Sequence, residues 1–354
     1  MSKEQQKLVS EDCERIFTIM SEKLTGLANS SLLVTGGAGF MGSWVSELVH
    51  YMNRFHKMNI RLFILDRNLE KFENNLPHIA QSKYIEFIRC DVRNITEIPH
   101  DVNYIIHGAA KPDTRDHSSI PMEIMATIAN GTGSLLHAAN RASNLKKFLN
   151  ISSCSVYSMT KNKKISEESI GLPLDVMAYN PYAEAKRFSE MLCSAARSED
   201  RIPVVTVRPF TFCGAYQDLH SPWALNNFIN DVLNNRPIKI LGDGNTIRSY
   251  MYGADYAAWL LVILLSSTIG TIFNVGSDKG TTLNNLAIKV SRLSKISADI
   301  LLNASLSGPV ANTSLVPDTR KVFDKLGLSQ ITDIDTAIER TLKWYELDLI
   351  SKNK

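Results

Sequence analysis

A glycine-rich turn at residues 35–42 constrains the fold of this chain more than any other feature. It reads TGGAGFMG, it follows the short apolar run Ser31–Thr35, and a stretch of helical character begins at residue 41. A strand, a glycine turn and a helix in this order are typical of sites where the backbone approaches a pyrophosphate. A glycine triplet alone is weak support, but here it stands in the context that such a site requires.

Each glycine of the turn meets a different physical need. Gly36 permits the tight bend, Gly39 lets the backbone come close to phosphate oxygens, and Gly42 lets the helix pack closely on the strand. The unpaired N–H groups and the dipole at the start of the helix then favour an anion. We therefore predict a dinucleotide site in which the contacts are made by Gly36, Gly39, Phe40, Met41 and Gly42.

Buried strands alternate with helices from residue 31 onward. The apolar, β-rich runs are Ser31–Thr35, Arg61–Asp66, Ile85–Asp91, Tyr104–Gly108, Phe148–Ser152 and Pro203–Arg208. Longer helical stretches lie between them, notably at 41–53, 121–142 and 182–197. Strands that are buried on both faces and joined by helical crossovers form a parallel sheet. The pattern predicts an α/β fold, a doubly wound parallel (Rossmann) sheet with a smaller C-terminal α/β substrate-binding lobe.

We expect three regions along the chain. Residues 1–30 form a helical arm, because apolar residues recur there at three- and four-residue steps. This arm packs on the body or on a second subunit, and a regulatory element is the alternative. Residues 31–210 form the dinucleotide-binding domain. Residues 211–354 form mainly the substrate-binding lobe, with segments around 248–277 returning to the first domain.

Composition excludes several classes of partner. The chain has 39 basic and 36 acidic residues, a balance that offers no electrostatic basis for binding nucleic acid or a membrane surface. Its five cysteines are widely spaced and contain no CxxC pair, so we predict neither a disulfide framework nor a metal site. The most apolar stretch, Tyr256 to Leu265, is too short to span a bilayer. We expect a soluble, cytoplasmic protein with one buried helix at that stretch.

Residues at the ends of the following strands extend the predicted cofactor site. Asp66 ends the second strand, where a carboxylate accepts hydrogen bonds from the hydroxyls of the adenosine ribose. Because a carboxylate repels the 2′-phosphate of NADP, Asp66 favours NAD, although the neighbouring Arg67 weakens this preference. We expect further contacts at the adenine from Asp91 and Val92, and along the cofactor from Ala109 and Ala110.

Tyr182 and Lys186 are four residues apart within a predicted helix, so their side chains share one face. A phenol beside an ammonium group is favoured as phenolate, and we expect the pKa of Tyr182 to fall. Such a tyrosine can serve as a general base at neutral pH. On its own, the spacing also fits a surface helix that carries a solvated lysine.

Further short motifs follow along the chain. They are CDV at 90–92, HGAA at 107–110, SSCSVY at 152–157, PYAEAK at 181–186, RPF at 208–210, GDGNTIRSYMYGADYA at 242–257 and PDTRKVFDKLGL at 317–328. With the glycine turn and Asp66, they make the chain resemble the extended short-chain dehydrogenase/reductase superfamily, specifically its NAD-dependent nucleotide-sugar epimerases and dehydratases. The resemblance runs from about residue 31 to about residue 345.

The resemblance implies roles for individual residues. Tyr182 is similar to the acid/base of the family, and Lys186 to its helper, which also holds the nicotinamide ribose. Ser153 occupies the position of the Ser or Thr that bonds the substrate hydroxyl being oxidised. The family transfers a hydride from a sugar carbon, usually C4, to tightly held NAD⁺, and returning it to the opposite face gives epimerisation. The implied substrate contacts are Ser153, Thr211, Asn226 and Arg248.

Departures from the family pattern narrow the reaction. The sugar 4,6-dehydratases carry an Asp-Glu pair where this chain has Cys154 and Ser155, which cannot supply the acid and base for elimination. The related uronate decarboxylases carry a Glu where Ser155 stands. Both reactions are therefore disfavoured, and epimerisation is favoured. Ile128 and Thr211 replace asparagines that are common in the family, which implies a different pose of the substrate.

We therefore predict an NAD-dependent epimerase of a nucleotide-diphosphate sugar, acting at C4. The resemblance also implies a homodimer, in which the stretches 121–142 and 182–197 pair with those of a second subunit. A dehydratase, a decarboxylase and an NADPH-preferring 4-keto-sugar reductase stay open as alternatives. A non-catalytic dinucleotide-binding protein is the least supported, because Ser153, Tyr182 and Lys186 are all present. We expect His107, inside the fourth strand, to be a packed core residue.

Overall fold

A parallel β-sheet forms the centre of the computed structural model, which describes residues 1–157, 163–169, 180–294, 296, 298–303 and 313–352. Many further strands and helices surround it. In chain order the strands are β1 (Ser31–Thr35), β2 (Arg61–Asp66), β3 (Ile85–Arg89), β4 (Tyr104–His107), β5 (Lys147–Ile151), β6 (Val204–Pro209), β7 (Phe212–Cys213), β8 (Ile238–Leu241), β9 (Ile247–Ser249), β10 (Met251–Tyr252), β11 (Ile272–Val275), β12 (Gly280–Thr282), β13 (Ile300–Asn303) and β14 (Ser314–Leu315).

The main sheet has seven strands in the order β11-β6-β5-β4-β1-β2-β3. Neighbouring strands run parallel, and Leu33 of β1 pairs with Phe63 on one side and Ile105 on the other. The strand order reverses at β1, because the chain moves outward through β2 and β3 and then crosses to β4. At such a point the loops that leave the two middle strands diverge and open a crevice. The predicted doubly wound α/β sheet is confirmed.

Helices cover both faces of this sheet. In chain order they are α1 (Lys3–Leu24), α2 (Phe40–His56), α3 (Leu69–Asn75), α4 (Pro77–Ala80), α5 (Thr114–Ser119), α6 (Pro121–Ala139), α7 (Pro181–Glu199), α8 (Ala224–Leu233), α9 (Gly253–Ser266), α10 (Leu283–Leu293), α11 (Arg320–Leu326) and α12 (Ile334–Lys352). Helices α2 and α9 pack together, and so do α6 and α7. The predicted helices at 41–53, 121–142 and 182–197 correspond to α2, α6 and α7.

Alternate residues of β1 supply two separate cores. Leu32 and Val34 belong to the larger core, which α1, α2 and α9 complete. Leu33 belongs to the smaller core with residues of α6 and α7. All five residues of β1 are buried, as a strand covered on both faces requires.

The N-terminal helix α1 is an integral part of this packing. Ser2 and Gln5 cap its start in a reciprocal capping box. Its apolar face packs against α2, α9 and α12. Its one buried carboxylate, Asp12, pairs with Arg340 of α12 and accepts a hydrogen bond of 2.7 Å from the hydroxyl of Tyr252. The arm therefore packs on the body of its own chain and contacts the C-terminal helix α12.

Beyond β6 the chain builds smaller sheets beside the main one. β7 pairs with β10, β9 lies between β12 and β14, and β8 pairs with β13. β11 returns to the main sheet and pairs with β6. Helix α9, which contains the apolar stretch, is buried along nearly its whole length. Across the described ranges, no helix is both long enough and apolar enough to cross a membrane.

Candidate active site

Two adjoining clefts open at the carboxyl ends of the main-sheet strands. The smaller has a volume of about 410 Å³ and is lined by the glycine turn and by the residues that follow β2, β3 and β4. The larger has a volume of about 620 Å³ and is lined by the residues that follow β5 and β6 and by the start of α7. Ala110 lines both clefts, so they are neighbours. This is where a doubly wound sheet binds its ligands.

The glycine turn leaves room that side chains would fill. Gly36 has φ +70°, and a Cβ there would lie 3.0 Å from the carbonyl oxygen of Gly108. A Cβ at Gly42 would lie 2.3 Å from the carbonyl oxygen of Gly37, so the first turn of α2 can pack there only with glycine. Gly36 and Gly39 line the smaller cleft. A backbone cradle of this kind fits the pyrophosphate of a dinucleotide.

The first turn of α2 faces the junction of the clefts. Gly39 is the N-cap and provides no side-chain cap, so the first N–H groups of the helix are left for a ligand. Met41 lines the larger cleft. Phe40 stacks on Phe212 with ring centroids 4.5 Å apart and does not line either cleft. Its side chain thus anchors α2 to the residues that follow β6.

Asp66 lies at the end of β2 and braces the glycine turn. Its carboxylate accepts hydrogen bonds from the backbone N–H of Ala38 at 3.1 Å and of Asn68 at 3.0 Å. Each oxygen keeps a further lone pair. Because Asp66 also lines the smaller cleft, these lone pairs are available to ribose hydroxyls.

Arg67, Asp91 and Val92 lie together beside Asp66 and line the same cleft with Ala109. Arg67 is in ion-pair range of Asp91 and Glu123, at 3.4 and 3.6 Å. The hydrogen bonds that Asp91 accepts from Arg93 lower its pKa to about 2. Arg67 therefore lies at the cleft with its guanidinium beside two carboxylates.

Replacing Asp66 by asparagine is expected to weaken NAD binding about tenfold or more and to relax the exclusion of NADP. The change removes the charge that repels a 2′-phosphate, and hydrogen bonds to a charged group contribute about 1.5–3 kcal/mol. Calorimetric titration with each cofactor measures the effect. Exposed Asp101, after which β4 begins, provides the matched control as Asp101→Asn. An unchanged NAD/NADP preference would contradict this role.

Ser153, Tyr182 and Lys186 meet in the larger cleft, which all three line. Ser153 follows β5, and its hydroxyl accepts the backbone N–H of Ser155 at 3.0 Å. The start of α7 brings the other two into place. There the side chain of Asn180 caps the helix through the N–H of Ala183, and a proline at the first position fits the turn.

Lys186 reaches from α7 to the end of β5. It is almost fully buried, and its Nζ donates a hydrogen bond of 2.6 Å to the carbonyl oxygen of Ile151. Burial lowers the pKa of Lys186 to about 8, while the charge of Glu190 opposes this change. The ammonium group is therefore positioned by the sheet beneath it.

The pKa of Tyr182 differs in direction from the expectation based on the sequence. Burial raises its pKa above the ordinary value, and a hydrogen bond with Ser153 opposes this only in part. The predicted fall is wrong because the ring packs among Ile124, Ile128 and Ala185, while the ammonium of Lys186 is bonded to a backbone carbonyl. Ile128, one of the departures from the family pattern, is thus part of the apolar backing of the phenol.

A chain of buried polar groups lies beneath the cleft. His107 Nδ1 is 2.8 Å from the hydroxyl of Thr35, and its Nε2 is 3.0 Å from that of Thr132. The hydroxyl of Thr132 is hydrogen-bonded to that of Ser189, which in turn donates to the side-chain oxygen of Asn150. Burial lowers the pKa of His107 to about 3, so the ring is neutral at physiological pH. It is a packed core residue, as the sequence predicts.

The predicted substrate contacts do not all lie in the larger cleft. Thr211 and Arg248 line the larger cleft. The guanidinium of Arg248 donates to the carbonyl oxygens of Ile247 and Thr313, at 2.8 and 3.3 Å. The structure does not bring Asn226 to this lining, because its buried amide donates to the carbonyl oxygen of Asp218. Its observed contact braces the loop before α8.

Cys154 and Ser155 also line the larger cleft. Burial raises the pKa of Cys154 to about 12, so its thiol stays protonated at neutral pH. Neither group is a carboxyl acid or base. In the described ranges there is also no cluster of three or more His, Cys, Asp or Glu side chains that would hold a metal ion.

The sequence did not single out several residues that line the larger cleft. Trp223 packs edge-on against Phe212, Phe210 also belongs to the lining, and His117 lies against Tyr182. Asn180 carries the helix-start signal of an Asn before a Pro, which would have been enough to find it. Phe210 belongs to the RPF motif at 208–210, whereas Trp223 and His117 lie in no motif, because segments from different parts of the chain bring them together.

A glycine-turn cleft that adjoins a Ser-Tyr-Lys cleft on a doubly wound sheet defines an enzyme fold of the extended short-chain dehydrogenase/reductase class. The chain belongs to the NAD dependent epimerase/dehydratase family, whose sequence model matches residues 32–276, more than half of the chain. NAD is the cofactor of this family, and the glycine cradle and Asp66 fit it.

Known relatives span several reactions. The chain is 26% identical over 326 residues to the trifunctional UDP-glucose 4,6-dehydratase/UDP-4-keto-6-deoxy-D-glucose 3,5-epimerase/UDP-4-keto-L-rhamnose-reductase of Arabidopsis thaliana. That match covers 89% of this chain but 47% of the plant protein, so the chain spans about half the length of this relative. It is 27% identical over 321 residues to the dTDP-glucose 4,6-dehydratase of Streptomyces niveus, covering 89% of this chain and 92% of that enzyme.

Solved structures of similar fold include 4-epimerases. The UDP-N-acetylglucosamine 4-epimerase of Methanobrevibacter ruminantium M1 superposes with a TM-score of 0.79 at 23% identity, covering 91% of this chain and 99% of that one. The UDP-glucuronic acid 4-epimerase of Bacillus cereus, in complex with NAD, has a TM-score of 0.76 at 24% identity, with coverages of 89% and 96%. At this identity the likeness establishes the fold.

Proposed function

We propose that this protein is an NAD-dependent epimerase that inverts C4 of a nucleotide-diphosphate sugar through a transient 4-keto sugar. One observation carries the proposal. Among the described residues, the cleft combines Ser153, Tyr182 and Lys186 with Cys154 and Ser155, so this part of the lining has the groups for hydride-transfer chemistry without a carboxyl pair for elimination. Loss of water from the keto sugar needs an acid and a base that these two side chains do not provide.

The chain's residues would share the work as follows. Ser153 holds the C4 hydroxyl of the sugar, and Tyr182 takes its proton and later returns it. When bound, NAD⁺ supplies the hydride acceptor and a positive charge in the same cleft. The ammonium of Lys186, whose pKa is about 8, adds a second positive charge close to the phenol. Both charges oppose the effect of burial on Tyr182 and favour the phenolate.

The larger cleft suits a diphosphate and a sugar. Arg248 belongs to its lining, and a guanidinium fork matches phosphate oxygens. The lining also includes apolar side chains, among them Phe210, Trp223 and Leu315. An apolar wall offers a keto sugar few polar contacts that would hold it in one orientation. Inversion requires such freedom, since the hydride must return to the opposite face.

A 4,6-dehydratase is the second candidate, because the relatives of highest sequence similarity described above carry that activity in their names. The two candidates separate in one experiment. The purified protein is incubated with UDP-, GDP-, CDP- and dTDP-sugars, and the products are identified by NMR. Inversion at C4 without a change in mass supports the epimerase. Loss of water or CO₂ would overturn it, and preference for added NADPH with net reduction would indicate a reductase.

We also propose that the enzyme works as a homodimer in the cytoplasm. Three large apolar side chains stand out on α6 and α7, where Met122, Phe188 and Met191 are 78%, 53% and 65% exposed. Helices α6 and α7 pack on each other, so this surface suits pairing with a second copy into a four-helix bundle. The five cysteines are free, which supports a reducing compartment.

The double change Phe188→Glu and Met191→Glu is expected to convert the dimer into monomers. Burying unpaired carboxylates in an apolar interface costs several kcal/mol for each charge, which shifts the equilibrium strongly toward monomers. Light scattering coupled to size-exclusion chromatography measures the mass. Phe55→Glu is the matched control, because Phe55 of α2 is equally exposed but lies on another helix. A mass that stays dimeric in the double variant would contradict this interface.

A further inference from the structure

A histidine lies flat on the predicted catalytic tyrosine. The imidazole of His117 and the phenol of Tyr182 are stacked, with ring centroids 4.5 Å apart and planes inclined by 10°. His117 belongs to α5, which follows β4, whereas Tyr182 belongs to the first turn of α7. Both side chains line the larger cleft. The contact therefore joins two distant segments at the site of the proposed chemistry.

The imidazole is itself held in place. His117 Nε2 lies 3.1 Å from the backbone carbonyl oxygen of Lys111. A carbonyl oxygen can only accept, so Nε2 carries the proton in this hydrogen bond. The helix that carries His117 is also fixed at its start, where Asp113 caps it through the N–H of Arg115 at 2.9 Å. These contacts limit the rotation of the imidazole ring.

The phenol also has contacts besides the imidazole, and the Nζ of Lys186 lies 5.7 Å from its ring centre. Tyr182 packs in a small apolar cluster with Ile124, Ile128 and Ala185, which is separate from the two main cores. These aliphatic side chains do not impose a direction on an aromatic ring, whereas a parallel stacked ring does. The hydroxyl of Tyr182 faces Ser153, which lines the same cleft and itself donates to the hydroxyl of Ser155 at 3.1 Å. The stacked imidazole is the flat, parallel contact on the phenol ring, with ring planes inclined by 10°.

We propose that His117 is a positioning residue, which holds the ring of Tyr182 in the plane where its hydroxyl reaches the substrate and covers that ring from water. The proposal rests on the proposed role of Tyr182 in sugar oxidation and is independent of which product the enzyme releases. A misplacement of about 1 Å in a catalytic group can lower a rate by roughly 10²-fold. The expected loss is smaller here, because Ser153 still holds the hydroxyl.

The first test measures how well the ring is covered and needs no substrate. Full-length wild-type protein, His117→Ala and His117→Phe are treated with tetranitromethane, and nitration of Tyr182 is followed by peptide mass spectrometry. We expect nitration about fivefold faster in His117→Ala, given the usual strength of a stacked pair. His117→Phe keeps a flat ring and should stay within about twofold of the wild type, as should the control His100→Ala in an exposed turn. Equal rates in the alanine variant and the wild type would overturn the proposal.

The second test measures the chemical step. Bound NAD is reduced in a single turnover by UDP-glucose and by dTDP-glucose, and formation of NADH is followed by absorbance. His117→Ala should lower the rate constant about tenfold, while the substrate concentration at half-saturation stays within about twofold of the wild-type value. This follows because the stack acts on orientation rather than on affinity. His117→Phe should restore the rate to within about threefold of the wild type.

The outcomes separate this proposal from the proposed function. A phenylalanine variant as slow as the alanine variant would overturn positioning by stacking, because it would assign the effect to the ring nitrogens. Thermal unfolding of each variant establishes that it is folded. A wild-type protein that oxidises no nucleotide sugar would contradict the proposed function, while the nitration rates would still decide whether His117 covers Tyr182.

Discussion

The variant Tyr182→Phe is expected to lower kcat by about 10³-fold or more and to leave NAD bound. A positioned acid/base contributes roughly 10²–10⁴-fold, and the phenylalanine ring keeps the packing against Ile124 and Ile128 while removing the oxygen. Turnover of the sugar identified by the NMR panel measures the first effect. Release of cofactor from the denatured protein, followed by its absorbance, measures the second.

The matched control is Tyr104→Phe, which removes a phenol oxygen from a similarly buried tyrosine of β4 outside the cleft lining. It should keep most of the activity, because nothing in the proposed chemistry uses that oxygen. If Tyr182→Phe retained more than about a tenth of the wild-type kcat, the loss would fall below the range of an acid/base, and another group would have to move the proton.

The Tyr182→Phe variant also bears on how the site can form a phenolate at a buried position. Burial raises the pKa of Tyr182. The phenolate is therefore unfavourable unless positive charges stand close to it. Lys186 is close, with its Nζ 5.7 Å from the centre of the phenol ring, and the carbonyl of Ile151 fixes it there. In the proposed mechanism, proton transfer would therefore depend on cations near the phenol, one from Lys186 and the other from bound NAD⁺.

The second large effect is expected for Gly36→Val. Gly36 has φ +70°, a conformation that a β-branched residue adopts only with strain, and an added Cβ would lie 3.0 Å from the backbone of Gly108 and Ala109. We expect the free energy of unfolding to fall by about 2–4 kcal/mol and NAD binding to be lost. Denaturant titration measures the first change, and calorimetric titration with NAD measures the second.

Gly133→Ala serves as the matched control for this prediction. Gly133 lies within α6, and an added Cβ would meet no atom within 4 Å. Alanine favours a helix over glycine by about 0.5–1 kcal/mol, so this variant should be as stable as the wild type or more stable, with unchanged NAD binding. If Gly36→Val bound NAD as tightly as Gly133→Ala, the turn at 35–42 would not be the pyrophosphate site.

The main sheet could be predicted because its information is local. The strands before Asp66 and around His107 match the sequence predictions to within one or two residues at each end. A strand buried on both faces is a short apolar run wherever it occurs, and a glycine turn between strand and helix has few structural solutions. The smaller strands β7 to β10 and β12 to β14 have two to four residues and no such pattern, so their pairing was out of reach.

The same distinction holds within the site. Tyr182 and Lys186 lie on one helix, so their spacing placed them correctly, and the glycine turn carried the cofactor prediction. The direction of the pKa shift of Tyr182 did not follow from that spacing, because it depends on which atoms surround the ring. Likewise, the amide of Asn226 found its partner in the carbonyl of Asp218, a contact between residues that no local pattern links.

The glycine turn, the strand ends and the Tyr-Lys spacing were therefore enough to recognise an NAD-binding sheet and its enzyme family. These features act over a few residues of backbone geometry, which the order of amino acids specifies directly. The surroundings of Tyr182 came from packing between distant segments: Ile128 from α6, Lys186 bonded to the end of β5, and His117 stacked from α5. Burial and contact with distant groups set the charge and orientation of a side chain, and these arise when the segments assemble.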